Sequence, residues 1–136
     1  MNSNTANRGK ILKPDQLIYP ELSCRICGLC FKVQNELGRF RNEKQYADFL
    51  EKLLKESGFS YRRELRIEPS FPGEEAGRSI ADFVVEDKIV LELKTKRLVS
   101  REDYFQVKRY LISSGLKLGI LVNFRQKVLT PKRILG

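Results

Sequence analysis

Residues 80–95 (IADFVVEDKIVLELKT) constrain the fold of this chain more strongly than any other part of the sequence. Alternating and β-branched apolar residues on both sides of the polar connector 86–88 predict a β-hairpin. Three charged residues interrupt these apolar strands: Asp82, Glu92 and Lys94. Charged side chains in a half-buried strand cost free energy unless they are paired, so we expect these three to serve a common purpose.

The loop length of the hairpin determines whether these charged side chains meet. Side chains alternate along a strand, so Glu92 and Lys94 lie on one face, about 7 Å apart at ~3.3 Å rise per residue. A three-residue loop, 86–88, places Asp82 opposite Glu92, whereas a two-residue loop would place it opposite Leu91, on the other face. Two facing carboxylates destabilise a sheet unless a cation binds them, and an all-oxygen pair suits Mg²⁺ or Mn²⁺. The alternative is a solvated surface strand that carries a Glu–Lys pair.

The spacing of Asp82, Glu92 and Lys94, D-x9-E-x-K, resembles the core motif of the PD-(D/E)XK nuclease superfamily. The chain resembles more closely the bacterial GxxExxY proteins, which are grouped with those nucleases. This similarity covers about residues 17–135 and is carried by six stretches: 19–23, 35–38, 43–46, 81–94, 106–110 and 116–124. It is specific because several motifs occur in the right order.

The chain departs from that family pattern at two positions. Phe40 stands where the family has the glycine that precedes its glutamate, here Glu43, by three residues. Ala81 stands in place of the proline before Asp82, a common variation in such nucleases. The first departure leaves the conformation of the local turn undecided, and neither departure removes an acidic residue of the motif.

The resemblance implies a restriction-endonuclease-like α/β fold and a metal-dependent nuclease that hydrolyses phosphodiester bonds, with DNA as the expected substrate. It implies that Asp82 and Glu92 bind Mg²⁺ or Mn²⁺ and that Lys94 orients the attacking water or stabilises negative charge. The alternative function is a catalytically silent module of the same fold that binds nucleic acid or a protein partner. Endonuclease or exonuclease action, DNA or RNA, and a homodimeric state all stay open.

Glu43 is the third acid that the resemblance assigns to catalysis and to the metal. It lies three residues before Tyr46, on the apolar stripe of its predicted helix, so we expect its carboxylate to face inward and to need a partner. The alternative is a first-turn acid that interacts favourably with the helix dipole. We favour the functional interpretation because the resembling family has its glutamate at this position.

Four further residues are candidates for contacts with nucleic acid. Gln106 and Tyr110 are four residues apart, hence neighbours on one helix face, and resemble the Gln-x-x-x-Tyr motif of RecB-like nucleases. Gln can hydrogen-bond a phosphate, and Tyr can stack on a base or bond a phosphate; the alternative is a half-buried Tyr with a polar neighbour. Lys96 and Arg97, after the second hairpin strand, are placed to hold the backbone.

Periodicity and turn residues predict the remaining elements. Helices are expected over residues 20–37, 43–57 and 101–114, and further strands over residues 59–68, 118–124 and 128–135. This order predicts a mixed central β-sheet flanked by α-helices, in one domain formed by residues 17–136. Residues 1–16, rich in Asn, Ser and Thr, predict a flexible lead-in.

Charge and composition narrow the chemistry. The 136-residue chain has no histidine, which excludes a His general base, a His-ligated metal and a Ser-His or Cys-His nucleophile. Its formal net charge of +9 favours a polyanionic partner. Nucleic acid is the expected polyanion because the charged residues of the hairpin indicate the same kind of partner. No apolar run is long enough to span a bilayer, and the N-terminus lacks an apolar signal core, so we expect a cytoplasmic protein of bacterial type.

The three cysteines, Cys24, Cys27 and Cys30, follow a C-x2-C-x2-C spacing. The spacing permits part of an iron–sulfur or zinc site. No fourth Cys or His completes such a site, and the segment is predicted to be a continuous helix with the cysteines beside its buried stripe. We therefore interpret them as small buried apolar residues.

Overall fold

The computed structural model describes residues 18–66, 71–73 and 80–136. This part of the chain contains the helices α1 (Pro20–Leu37), α2 (Glu43–Glu56) and α3 (Arg101–Ser114). Its strands are β1 (Tyr61–Arg66), β2 (Ile80–Val85), β3 (Ile89–Lys94), β4 (Leu118–Asn123) and β5 (Lys132–Leu135). None of the helices described is long and apolar enough to cross a membrane. The lead-in predicted for residues 1–16 lies outside the described residues.

The three predicted helices are confirmed, and local side-chain chemistry explains their ends. At the start of α2, Asn42 accepts a hydrogen bond from the N–H of Gln45 (2.9 Å), and Gln45 accepts one from the N–H of Asn42 (3.0 Å). Ser100 and Asp103 form the same reciprocal arrangement at the start of α3. These capping boxes satisfy N–H groups that have no partner within the helix. Helix α3 ends at Gly115, whose φ of 75° favours glycine.

The described strands form one mixed sheet in the order β1-β2-β3-β4-β5. Neighbouring strands are antiparallel except β3 and β4, which are parallel and are connected through α3. Parallel neighbours require such a crossover. The predicted α/β architecture, a mixed sheet flanked by helices as in restriction-endonuclease-like proteins, is confirmed. Strands β3 and β4 therefore end at the same edge of the sheet, which is where α3 begins.

The hairpin β2–β3 has the register of the three-residue loop. Val85 pairs with Ile89, and extending the same pairing places Asp82 opposite Glu92. The two loop residues after Val85 have left-handed φ values of 55° and 52°. The turn thus brings the two acids of the hairpin to one level of the sheet.

Two apolar clusters cover the two faces of the sheet. The larger cluster lies between the sheet and helices α1 and α2, and from β3 it takes Ile89, Leu91 and Leu93. The smaller cluster lies between the sheet and α3, and from β3 it takes Val90. We call these sides the α1/α2 face and the α3 face. Because side chains alternate, Glu92 and Lys94 follow Val90 on the α3 face, and Glu92 pairs with Leu121 of the smaller cluster.

Two strands begin later than predicted. Strand β1 begins at Tyr61 rather than at residue 59, because Phe59 turns into the larger apolar cluster. Strand β5 begins at Lys132 rather than at residue 128. Pro131 has no N–H to contribute to the ladder, and Val128 is 75% exposed, so the preceding residues do not pair with β4.

Helix α3 lies very close to the sheet where it crosses β4. A Cβ atom on Gly119 would lie 2.5 Å from Cγ1 of Val107 on α3. Only glycine allows this approach, which brings the polar side chains of α3 against the ends of β3 and β4.

Candidate active site

Asp82 and Glu92 form a carboxyl pair on neighbouring strands. The N–H of Leu93 donates to Oδ2 of Asp82 at 2.6 Å, which holds this carboxyl against β3. Glu92 is 5% exposed. Burial, together with the hydrogen bond and the negative charge of Asp82, raises the pKa of Glu92 far above its ordinary range. At neutral pH the pair therefore retains a proton unless a cation replaces it.

Lys94 is the nearest cation on the same face, and α3 holds its ammonium group. Its Nζ donates to Oε1 of Gln106 at 3.3 Å and lies 3.8 Å from Oδ1 of Asp103. Its side chain is 18% exposed, so the ammonium is shielded but reachable. The charge of Lys94 lowers the pKa of Glu92, although less than burial and Asp82 raise it.

Glu43 lies at the open end of α2 rather than in the core. The prediction of an inward-facing acid is wrong: burial on this helix begins at Tyr46, one turn later, and Glu43 is exposed. Partial burial of its carboxyl and the charge of Asp82 nevertheless raise the pKa of Glu43. Glu43 and Asp82 line one cleft of about 220 Å³, together with Arg63.

The acids of the site do not converge on a single point. Within the described ranges, no three Cys, Asp or Glu side chains are grouped closely enough to hold a metal ion. Glu43 acts on the Asp82–Glu92 pair through its charge, which adds to the raised pKa of Glu92. Two carboxylates still fit Mg²⁺, which is usually bound by one or two carboxylates and completes its octahedron with water and substrate phosphate.

The three cysteines of α1 occupy different environments. Cys24 is exposed, Cys27 is half-buried and Cys30 is buried. Burial raises the pKa of Cys27 and of Cys30, which favours the protonated thiols. The interpretation as buried apolar residues is confirmed for Cys30, which belongs to the larger apolar cluster, and is wrong for Cys24, which is exposed.

Two polar residues at the end of the sheet, Asp103 and Asn123, were not predicted from the sequence as parts of the site. The carboxylate of Asp103 accepts from Nζ of Lys96 at 2.8 Å and 3.1 Å. The side chain of Asn123 accepts from the N–H of Lys96 at 3.1 Å and donates to its carbonyl at 2.7 Å. Burial opposes ionisation of Asp103, but hydrogen bonds from Lys96 and Ser100 lower its pKa. In the sequence, Asp103 shows only the spacing of a capping box with Ser100, three residues before it.

The four residues predicted to contact nucleic acid occupy different environments. Gln106 is half-buried and holds Lys94, and Tyr110 is 6% exposed within the smaller apolar cluster. A base therefore has no free ring of Tyr110 to stack on, because the ring is part of the core. Lys96 is paired with Asp103, whereas Arg97 is exposed beside the end of β3.

The turn between α1 and α2 is attached to the end of β4. The hydroxyl of Tyr46 donates to the carbonyl of Gly38 at 2.5 Å, and its ring stacks on Phe124 at 4.3 Å. Nε of Arg39 donates to the carbonyl of Arg125, and Nε of Arg125 donates to that of Arg39, both at 3.0 Å. These contacts place the first turn of α2, with Glu43, beside the site.

Phe40 fits this turn without the family's glycine. It is not among the described residues with positive φ, so an ordinary side chain costs no backbone strain here. Its ring is 75% exposed and lies within 5.2 Å and 5.4 Å of the guanidinium carbons of Arg39 and Arg125. In this chain the contacts of Tyr46 and of the two arginines thus form the turn at which the family has its glycine.

Comparisons with known proteins agree with this geometry. Residues 20–134 match a family model described as the PD-(D/E)XK nuclease superfamily. A search of curated proteins finds no match. A solved structure titled "Crystal structure of SSO0001" is similar to the chain, with a TM-score of 0.52 and 17% sequence identity. That similarity covers 97% of this chain and 72% of the other, and at this identity it supports the fold alone.

Proposed function

This chain belongs to the PD-(D/E)XK nuclease superfamily, and we propose that it is a metal-dependent phosphodiesterase that acts on DNA. The observation that carries this proposal is the Asp82–Glu92 pair on neighbouring strands, in which Glu92 is buried and in which burial and the contact with Asp82 raise the pKa of Glu92. Lys94 lies on the same face of β3. Within the superfamily we assign the chain to the GxxExxY proteins, because Tyr46 anchors the turn that presents Glu43.

The residues present fit a hard divalent cation. Asp82 and Glu92 would hold Mg²⁺ or Mn²⁺ through carboxylate oxygens, and Glu43 adds negative charge at the rim. When bound, such an ion polarises a phosphate oxygen and lowers the pKa of a coordinated water. Glu92 must release its proton to become a ligand, so we expect metal affinity to increase with pH.

Lys94 is positioned to stabilise the charge that develops on the phosphate. Gln106 and Asp103 hold its ammonium group in place from α3. A preorganised donor of this kind is more effective than a flexible surface lysine, because it does not reorganise during the reaction. Asp103 and Gln106 are therefore positioning residues, whereas Lys94 is the catalytic one.

Cleavage assays test this function directly. Labelled single-stranded DNA, double-stranded DNA and RNA would be incubated with wild type in Mg²⁺, Mn²⁺ or EDTA. We expect cleavage with either metal and none in EDTA. Asp82→Asn should abolish cleavage while the far-ultraviolet circular dichroism spectrum stays unchanged.

Asp87→Asn provides the matched control. Asp87 lies in the same hairpin but is exposed in its loop, and asparagine tolerates its φ of 52°. This variant should cleave like wild type. Cleavage by Asp82→Asn at the wild-type rate would contradict the site. Absence of cleavage by wild type on every substrate would instead favour the binding module.

A further inference from the structure

A second groove, separate from the cleft at Asp82, lies on the α3 face. It has a volume of about 620 Å³ and lies between the start of α3, the loop before it and the strands β4 and β5. Asn123, which holds the backbone of Lys96, forms part of its wall. The groove therefore begins where the candidate active site ends. We call it the α3 groove.

The charge of the α3 groove is entirely positive. Its lining includes Arg97, Arg101 and Lys132 and no acidic residue. Within the part of the chain that the structure describes, none of these three cations forms an ion pair. By contrast, Arg63 is paired with carboxylates of α2, and Arg109 is paired with a carboxylate of its own helix, α3. The cations of the groove are thus available to bind a negatively charged partner.

The groove also exposes apolar and aromatic surface. Phe105 is 42% exposed and Leu98 is 78% exposed, and both side chains belong to the groove lining. The rings of Tyr104 and Phe105 meet edge to face at 5.5 Å, which holds them in fixed orientations. Nζ of Lys132 lies 5.8 Å from the centre of the Tyr104 ring.

Cations interleaved with exposed rings match the chemistry of unpaired nucleotides. Single-stranded nucleic acid offers base faces that stack on aromatic rings and phosphates that bind Lys and Arg. A duplex keeps its base faces stacked inside and offers only phosphates and groove edges to a surface of this shape. The volume lies within the roughly 300–1,000 Å³ of pockets that enclose a small organic ligand, which suits a short unpaired stretch.

We propose that the α3 groove binds an unpaired stretch of the nucleic-acid strand adjoining the bond to be cut. The preferred substrate is then a single strand, or a duplex with a single-stranded segment. This inference rests on the proposed nuclease function for its biological meaning. Its test measures binding in EDTA, where no cleavage occurs, so that the two proposals can fail separately.

The experiment uses fluorescence anisotropy with labelled oligonucleotides of mixed sequence, single-stranded and as the matching duplex. Wild type should bind the single strand about tenfold or more tightly than the duplex. Phe105→Ala should weaken single-strand binding about tenfold, the size expected for one lost base–aromatic stack. Arg101→Ala should weaken it as well, and should reduce the dependence of affinity on salt concentration.

Two variants on α3 serve as matched controls. Ile112→Ala removes another exposed apolar side chain of α3, and Arg109→Ala removes another exposed arginine. Neither residue lines the groove, so both variants should bind like wild type. Equal single-strand affinity of Phe105→Ala and wild type would overturn the inference, as would tighter binding of the duplex. A loss of self-association in Phe105→Ala, seen by light scattering without change in binding, would assign the groove to a second copy and overturn it too.

The cleavage assay separates this result from the proposed function. Glu92→Gln should retain single-strand binding and lose cleavage, because Glu92 lies outside the groove lining. Groove-dependent binding without cleavage by wild type would remove the nuclease proposal and keep the groove as a binding site. Cleavage by wild type without groove-dependent binding would keep the nuclease proposal and remove the groove as a binding site.

Discussion

The two faces of the central sheet are covered by helices in the same way but differ in what β3 presents to them. On the α1/α2 face, Ile89, Leu91 and Leu93 are all fully buried, and the apolar surface runs the length of the strand. On the α3 face, Val90 is followed by Glu92 and Lys94. One face therefore supplies stability, and the other gives up apolar contact to carry charged groups. Substitutions at alternate positions of β3 should separate the two roles.

The largest expected effect on stability is on the α1/α2 face. Leu91→Ala should lower the free energy of unfolding by about 2–5 kcal/mol, because it removes buried methyl groups and leaves a cavity. Glu92→Gln, one residue along the strand, should not lower it at pH 7 without metal. Urea unfolding in EDTA measures both. Equal losses of unfolding free energy in the two variants would contradict the different roles of the two faces.

The largest expected effect on activity is on the α3 face. Lys94→Met, whose unbranched side chain is one atom shorter than that of lysine, should reduce kcat by about 10²–10³-fold because the charge is lost. Its melting temperature should stay close to that of wild type. Lys117→Met is the control, because Lys117 is exposed before β4, at the opposite end of the strand from Asn123. A loss of activity of similar size in both variants would contradict a specific role for Lys94.

The raised pKa of Glu92 predicts an unusual pH dependence of stability. In the unfolded chain this carboxyl loses its proton near pH 4.3, whereas the folded protein retains it to far higher pH. Its stabilising contribution is therefore complete below about pH 4 and declines as pH rises through neutrality toward the raised pKa. In EDTA, the melting temperature of wild type should fall between pH 5 and pH 8 more than that of Glu92→Gln.

Metal should reverse this dependence. A ligand that binds only the folded state at 100 times its Kd stabilises by about 2.7 kcal/mol. Addition of Mn²⁺ should therefore raise the melting temperature of wild type at pH 8 and have little effect on Glu92→Gln. A stabilisation of the same size in both proteins would show that the ion binds elsewhere.

The smallest expected effect on stability concerns Asp103, which belongs both to the N-terminal cap of α3 and to the candidate active site. Its pKa is lowered in the folded state, so its contribution to stability is present above about pH 4 and is lost as pH falls further. Asp103→Asn should cost about 1 kcal/mol at pH 7, in the range of lost helix caps, and less near pH 3. It should also reduce kcat, because Lys94 and Lys96 lose their carboxylate. The exposed Glu102, changed to Gln, should show neither effect.

The local structure of this protein could be read from its sequence. The helix caps at Asn42 and Ser100 use side chains within three residues of the backbone groups they bind, so their geometry is encoded locally. Alternation along the strand placed Glu92 and Lys94 on one face. The sequence left a two- and a three-residue loop open for the hairpin, and the structure has the register of the three-residue loop, which brings Asp82 opposite Glu92.

Only the tertiary structure decided what surrounds these groups. The hydrogen bond between Lys94 and Gln106 joins residues twelve positions apart, and the contact of Arg39 with Arg125 joins residues 86 positions apart. The first depends on the close approach of α3 to the sheet at Gly119, and the second on the packing of the α1–α2 turn against the end of β4, and no local pattern specifies either. Glu43 was misplaced for the same reason. Helical periodicity gives the direction of a side chain around its helix, but the packing of the helix against the sheet decides where burial begins.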